Sequence, residues 1–265
     1  RRQRQMCIRD RSWSVYMPRV FMIVAAVTLA IFIGLFYQNS VQQKHQAELL
    51  EYETVLEEKT ESIAQQAQDW SKPIQIELED DRLDGDYAIM AEFMLGQLRD
   101  SAEERNQYLR DLKAANWQNF LNIDRLAKDQ AQGYKETEAM LKQVHQIVNS
   151  YQQKIQQRDA ELIDKAQQLD IKNRYRQQLS LTLKDSQQNS NAHVIFEIEK
   201  QTLAKADALF AVLKKHKWQK KNNTFMFYDD KAVQEFNALY KEMLHLNKQT
   251  ERVATANQKA VENKL

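Results

Sequence analysis

Glycine and proline are almost missing from this chain, which holds 4 Gly and 2 Pro in 265 residues where about 7% and about 5% are usual. Sandwiches, barrels and Rossmann-type domains need many tight turns, so this shortage of chain-breakers excludes them. It also leaves no Gly-rich phosphate loop, and neither a GxSxG elbow nor an HExxH helix occurs. The only cysteine is Cys7, so a disulfide framework and a thiolate metal site are excluded as well. His45, His145, His193, His216 and His245 are scattered without a metal-ligand spacing. The expectation is therefore a protein with no catalytic residues, metal or cofactor. What is abundant is helix-forming: 43% hydrophobic and 28% charged residues, with Gln at about 12%. The mean hydropathy of −0.72 hides one very apolar stretch.

Residues 6–11, Met6-Cys7-Ile8-Arg9-Asp10-Arg11, resemble the translated end adapter of short-read sequencing libraries. Such scars are set aside before fold reasoning, and residues 1–16 are expected to be a non-native or disordered tail. Without Arg1, Arg2, Arg4, Arg9, Arg11 and Asp10, the formal charge falls from +1 to −3. The basic cluster at the front then carries no argument for nucleic acid, and no nucleic-acid partner is expected.

Residues 20–37 contain no charged side chain. At 1.5 Å per residue this run spans roughly 27 Å, close to the ~30 Å hydrocarbon core. Only a helix satisfies such a backbone in lipid, and Tyr16, Phe36 and Tyr37 put aromatic groups near its ends. Residues 17–38 are thus expected to form a single transmembrane anchor that no signal peptidase removes. The A-x-A-like cleavage candidate, Thr28-Leu29-Ala30, lies inside the run. Residues 38–57 carry four Glu and one Lys, which orients the short N-terminus to the cytoplasm. In a bacterium, residues 39–265 would then be periplasmic. Ala26, Ala30 and Gly34 lie one turn apart on one face, the spacing that lets two membrane helices pack closely as a homo-oligomer.

Beyond the anchor the sequence predicts an all-α domain with one hairpin. Leu49, Tyr52, Leu56, Ile63, Ala67 and Trp70 recur at mostly 3–4-residue spacing, and Pro73 ends that helix. Residues 72–86 form the clearest break. Their acidic residues Glu77, Glu79, Asp80 and Asp81 lack EF-hand spacing and read as a solvated turn. Asp86 is expected to cap a second helix with Tyr87, Met90, Met94, Leu98, Leu109 and Leu112 on its apolar side. Asn116, Trp117 and Asn119 suggest a corner, with Asp124 as the next cap. From Leu126 to about Leu169 the apolar rhythm is long, with Leu141, Val144, Val148, Tyr151, Ile155, Leu162 and Ala166. Such persistence predicts an elongated, coiled-coil-like hairpin of helices. Helix resumes over about 172–215, interrupted near 185–191. Residues 217–228 read as a β-hairpin with Asn222-Asn223 at its turn and Trp218, Phe225 and Phe227 on one face. Asp229 and Asp230 then cap a last helix.

Lys214, Lys215, Lys217, Lys220 and Lys221 form the only basic patch, a candidate site for an anionic polymer or lipid headgroups. The stretch from Trp218 to Phe227, followed by Glu235-Phe236-Asn237-Ala238-Leu239, resembles the tail of the YiaF-like family of bacterial envelope proteins. There an aromatic strand pair also precedes a helix, although Phe236 stands here where that family has Tyr. The resemblance covers about the last 70 residues of the sequence; it implies a helical envelope protein and carries over no catalytic residue. The expected function is a membrane-anchored periplasmic scaffold or adaptor whose partners are the membrane and other envelope proteins. A ligand-sensing helical bundle is the second expectation and an envelope hydrolase the third.

Overall fold

A computed structural model describes residues 45–188 and 191–262. The protein is mostly helical (79%) with a small two-stranded antiparallel sheet. Residues 1–16, the expected anchor at 17–38 and its Ala26, Ala30 and Gly34 lie outside the described residues. Among the described residues no helix is long and apolar enough to cross a membrane.

The chain divides into two compact units, one holding 45–110, 150–193 and 254–262 of the described residues and the other 111–149 and 194–253. The elements, in chain order, are α1 (His45–Gln68), α2 (Gly85–Ala114), a 3₁₀ turn (Trp117–Asn119), α3 (Ile123–Gln130) and α4 (Lys135–Gln167). They are followed by α5 (Asn173–Gln188), α6 (Asn191–Lys215), β1 (Trp218–Lys221), β2 (Thr224–Phe227) and α7 (Asp230–Glu262).

In the first unit, the apolar positions of α1 and α2 meet in one core. Tyr52, Val55, Leu56 and Ile63 of α1 pack with Met90, Ala91, Leu95 and Leu98 of α2, joined by Ile171 and Tyr175. Burying several side chains of this size supplies the main driving force for the pairing, at about 1.5–3 kcal/mol each. The acidic stretch is not a simple solvated turn. Residues 73–80 run without a turn or bend, and Ile74, Ile76 and Leu78 alternate inward between more exposed polar neighbours, the period-2 pattern of extended chain. Lys59 Nζ donates to the carbonyls of Glu77 and Glu79 at 2.9 and 2.5 Å. Asp80 is paired with Lys59 at 3.4 Å and Arg82 at 2.8 Å. The hydrogen bond from Arg82 holds its carboxyl well below the usual carboxylate range.

Two expected caps fall elsewhere. Asp86 does not begin α2; Gly85, at φ 55°, does. Its carboxylate instead accepts the Lys172 backbone N–H at 3.2 Å and pairs with Lys172 Nζ at 3.0 Å, so it serves the approach to α5. Asp124 is likewise not a cap: the Asn122 side chain accepts the Arg125 N–H at 3.0 Å and starts α3. The long rhythm from Leu126 is also broken, at Gly133 (φ 74°) and Tyr134 (φ 64°), before α4 begins. Of the expected interruption over 185–191, residues 185–188 belong to α5 and Asn191 begins α6, while residues 189 and 190 lie outside the described residues.

In the second unit, Glu138 of α4 faces Lys214 of α6 and His145 faces Asp207, so these helix segments run antiparallel. Asn222 and Asn223 at φ 49° and 58° make the turn between β1 and β2. Both residues adopt the left-handed region that a two-residue hairpin turn requires and that Asn tolerates. The register pairs Trp218 with Phe227 and Lys221 with Thr224. Asp229 accepts the Lys231 N–H at 2.9 Å and so caps α7.

Candidate functional site

The hairpin that carries the basic patch is held by three buried rings. Trp218, Phe225 and Phe227 share one face; Phe225 and Phe227 lie 5.1 and 5.4 Å from the ring of Phe236 in α7. The Tyr134 hydroxyl donates to the Leu213 carbonyl at 2.9 Å and accepts from Trp218 Nε1 at 2.7 Å. Burial pushes the Tyr134 phenol up from its ordinary pKa, so it stays a donor across the physiological range. One side chain therefore ties the end of α6 to the first residue of β1.

Tyr134 is itself placed by a polar lock between α3 and α4. Asp129 is only 2% exposed. It accepts the N–H groups of Glu136 and Thr137 at 3.0 and 2.8 Å and the Thr137 hydroxyl at 2.5 Å. This carboxylate caps α4 from the end of the preceding helix. Burial works against its charge, but the Thr137 hydroxyl, the two N–H groups and Arg125 outweigh that and hold its pKa below the usual carboxylate value. Arg125 donates to the carbonyls of Asn119 and Phe120 at 3.0 and 2.7 Å and to Thr137 Oγ1 at 2.9 Å. The Asn119–Phe120 corner and the start of α4 are thus fixed by one guanidinium.

Two of the five candidate lysines are ion-paired. Lys214 is paired with Glu138, its ammonium 5.6 Å from the centre of the Phe210 ring. Lys220 is paired with Asp124 of α3. Lys215, Lys217 and Lys221 are exposed and have no carboxylate partner among the described residues. Lys215 stands in the last turn of α6, where a cation complements the helix dipole. The pairing was invisible in the sequence because Asp124 and Glu138 lie 96 and 76 residues from their lysines. Tyr228, 61% exposed at the end of the hairpin, is the functional candidate that sequence reasoning missed. Its alternation with buried Phe227 was the available signal.

Other sites are sparse. No group of three or more His, Cys, Asp or Glu able to hold a metal ion exists among the described residues. A surface groove of about 390 Å³ in the other unit is lined by Gln66, Asp69, Lys72, Pro73 and Gln75. Its Asp69 and Lys72 are already paired at 2.9 Å. Protein-family models, curated proteins and solved structures give no match to this chain.

Proposed function

We propose that the chain is a membrane-anchored periplasmic scaffold or adaptor acting through protein–protein contacts. The observation that carries this reading is the charge-free apolar run over residues 20–37, long enough to span a bilayer and followed by a polar, mostly helical chain. On this reading the protein crosses the bacterial inner membrane once, with its N-terminus in the cytoplasm. Residues 39–265 stand in the periplasm as a helical domain. Ala26, Ala30 and Gly34 give a second copy a close-packing face. Anchoring raises the effective concentration of any partner in the same membrane, and no catalysis is assigned to the chain.

Crosslinking in intact cells, followed by identification of the captured proteins, tests this role. Protease access to the C-terminus is scored in the same preparation. Capture of envelope proteins with an accessible periplasmic C-terminus is expected. Recovery of the chain alone, with its C-terminus shielded in the cytoplasm, overturns both the location and the role.

A further inference from the structure

We propose that the outer face of the hairpin, carrying Lys217, Lys221 and Tyr228, docks on an anionic lipid surface. The register fixes which residues share that face. Trp218 opposes Phe227 and Lys220 opposes Phe225, and alternation along each strand puts these four on the inner face. There the rings are buried and Lys220 takes Asp124. The other face holds Gln219 and Lys221 with Thr224 and Met226; Met226 at its centre is 3% exposed, so its accessible part is the rim of Lys217, Lys221 and Tyr228. Lys217 and Tyr228 extend it, since the Tyr228 N–H donates to the Lys217 carbonyl at 3.3 Å.

The outer face therefore keeps its charge. Lys217 and Lys221 are exposed with no carboxylate partner among the described residues, whereas the inner-face cation is neutralised. The acid that follows Tyr228, Asp229, is turned to His216 Nδ1 at 3.3 Å and to the Lys231 N–H. Beside these lysines Tyr228 offers a ring that packing leaves out, with a polar tip. That combination suits the headgroup layer, where a tyrosine ring sits at the boundary and lysines meet anionic phosphates. Nucleic acid is disfavoured because 38 basic against 37 acidic residues provide no long-range attraction. Near an anionic bilayer each lysine strengthens binding roughly fivefold. Two lysines and a ring give a weak, salt-sensitive contact that a tethered chain can use. The inference rests on the membrane-anchored reading for the lipid being within reach.

The test holds the full chain in nanodiscs of phosphatidylcholine, immobilises it, and passes vesicles over it. Vesicles with one third phosphatidylglycerol should be captured and pure phosphatidylcholine vesicles should not. Capture should vanish at 0.5 M salt, roughly one Debye length of 4 Å. K217Q/K221Q should weaken capture roughly 25-fold, and Tyr228→Ser should weaken it further. K214Q/K220Q removes the same formal charge from lysines that are already paired, and should change capture less than threefold. Equal losses in the two double variants, or capture unaffected by both, overturn the assignment. Competition by single-stranded oligonucleotide at equal phosphate concentration overturns it in favour of a nucleic-acid face. Each variant is first matched to the parent by circular dichroism and melting, so lost capture is not lost fold. Chain that never enters the nanodisc refutes the anchor; chain that enters but captures nothing refutes only the hairpin face.

Discussion

Replacing Asp129 removes a single carboxylate on which two helix junctions depend. In Asp129→Ala the N–H groups of Glu136 and Thr137 lose their acceptor, and Arg125, 3.8 Å away, loses its nearest buried counter-charge. A helix cap is worth about 1 kcal/mol. Hydrogen bonds to a buried charge are worth about 1.5–3 kcal/mol each. Arg125 keeps Glu136 at 3.5 Å and the carbonyls of Asn119 and Phe120, which limits the damage. The expected loss is about 3–4 kcal/mol for alanine and about 1–2 kcal/mol for Asp129→Asn, which keeps the shape and one acceptor oxygen. For a chain of this size that lowers the melting temperature of the alanine variant by roughly 6–16 °C. The pH dependence separates charge from shape. The folded-state pKa of Asp129 is depressed, so its contribution is complete above the unfolded value of about 3.9 and is lost as pH falls through the folded value. The gap between parent and Asp129→Asn should therefore be widest near neutrality and close in acid. Urea unfolding followed by helical circular dichroism, from neutrality down to pH values below the unfolded carboxyl's pKa of about 3.9, reads this directly. A gap that stays constant with pH, or an alanine variant as stable as the parent, refutes the reasoning.

Tyr134→Phe leaves the Trp218 indole N–H and the Leu213 carbonyl without their shared partner. It should cost about 1–3 kcal/mol, with faster proteolysis of the 217–228 hairpin than of α1; equal protease sensitivity would count against Tyr134 as the tie. Gly96→Ala should stabilise by about 0.5–1 kcal/mol, because a Cβ there meets Leu78 Cδ1 at an ordinary 3.4 Å inside α2; a lowered urea midpoint would show that Leu78 has no room.

The elements legible in the sequence were those with a local cause. Asn222-Asn223 between the strands and Asp229 before α7 each act on their own backbone, so composition alone located them, whereas α1 ends at Gln68, short of Trp70 and Pro73. The errors share a different physical origin. Asp86 and Asp124 looked like caps, yet one carboxylate serves the Lys172 N–H and the other the Lys220 ammonium. A polar side chain at a helix start has two outlets, and the tertiary one won both times. The break at Gly133 and Tyr134 was hidden because the apolar rhythm runs on through Tyr134, Met140 and Leu141, all buried. Its cap is Asp129, in the preceding helix. The alternation of Ile74, Ile76 and Leu78 was in plain view, but the acids between them drew the reading towards solvent.

The same distinction governs the basic patch. Five lysines in eight positions, 214–221, look like one electrostatic feature when counted along the chain. Folding sorts them by which carboxylate each can reach. Lys214 on the last turn of α6 meets Glu138 because those helix segments run antiparallel. Lys220 meets Asp124 because β1 lies beside α3 and alternation puts Lys220 on the strand face that carries Trp218. Of the lysines left over, Lys215 ends α6, while Lys217 and Lys221 stand on the hairpin face opposite Lys220 and so away from Asp124. A one-residue slip of the hairpin would exchange the faces and take Trp218, Phe225 and Phe227 out of their ring contacts with Phe236 and with one another. The loss of that burial holds the register, and the register in turn sets Lys220, and not Lys221, beside Asp124.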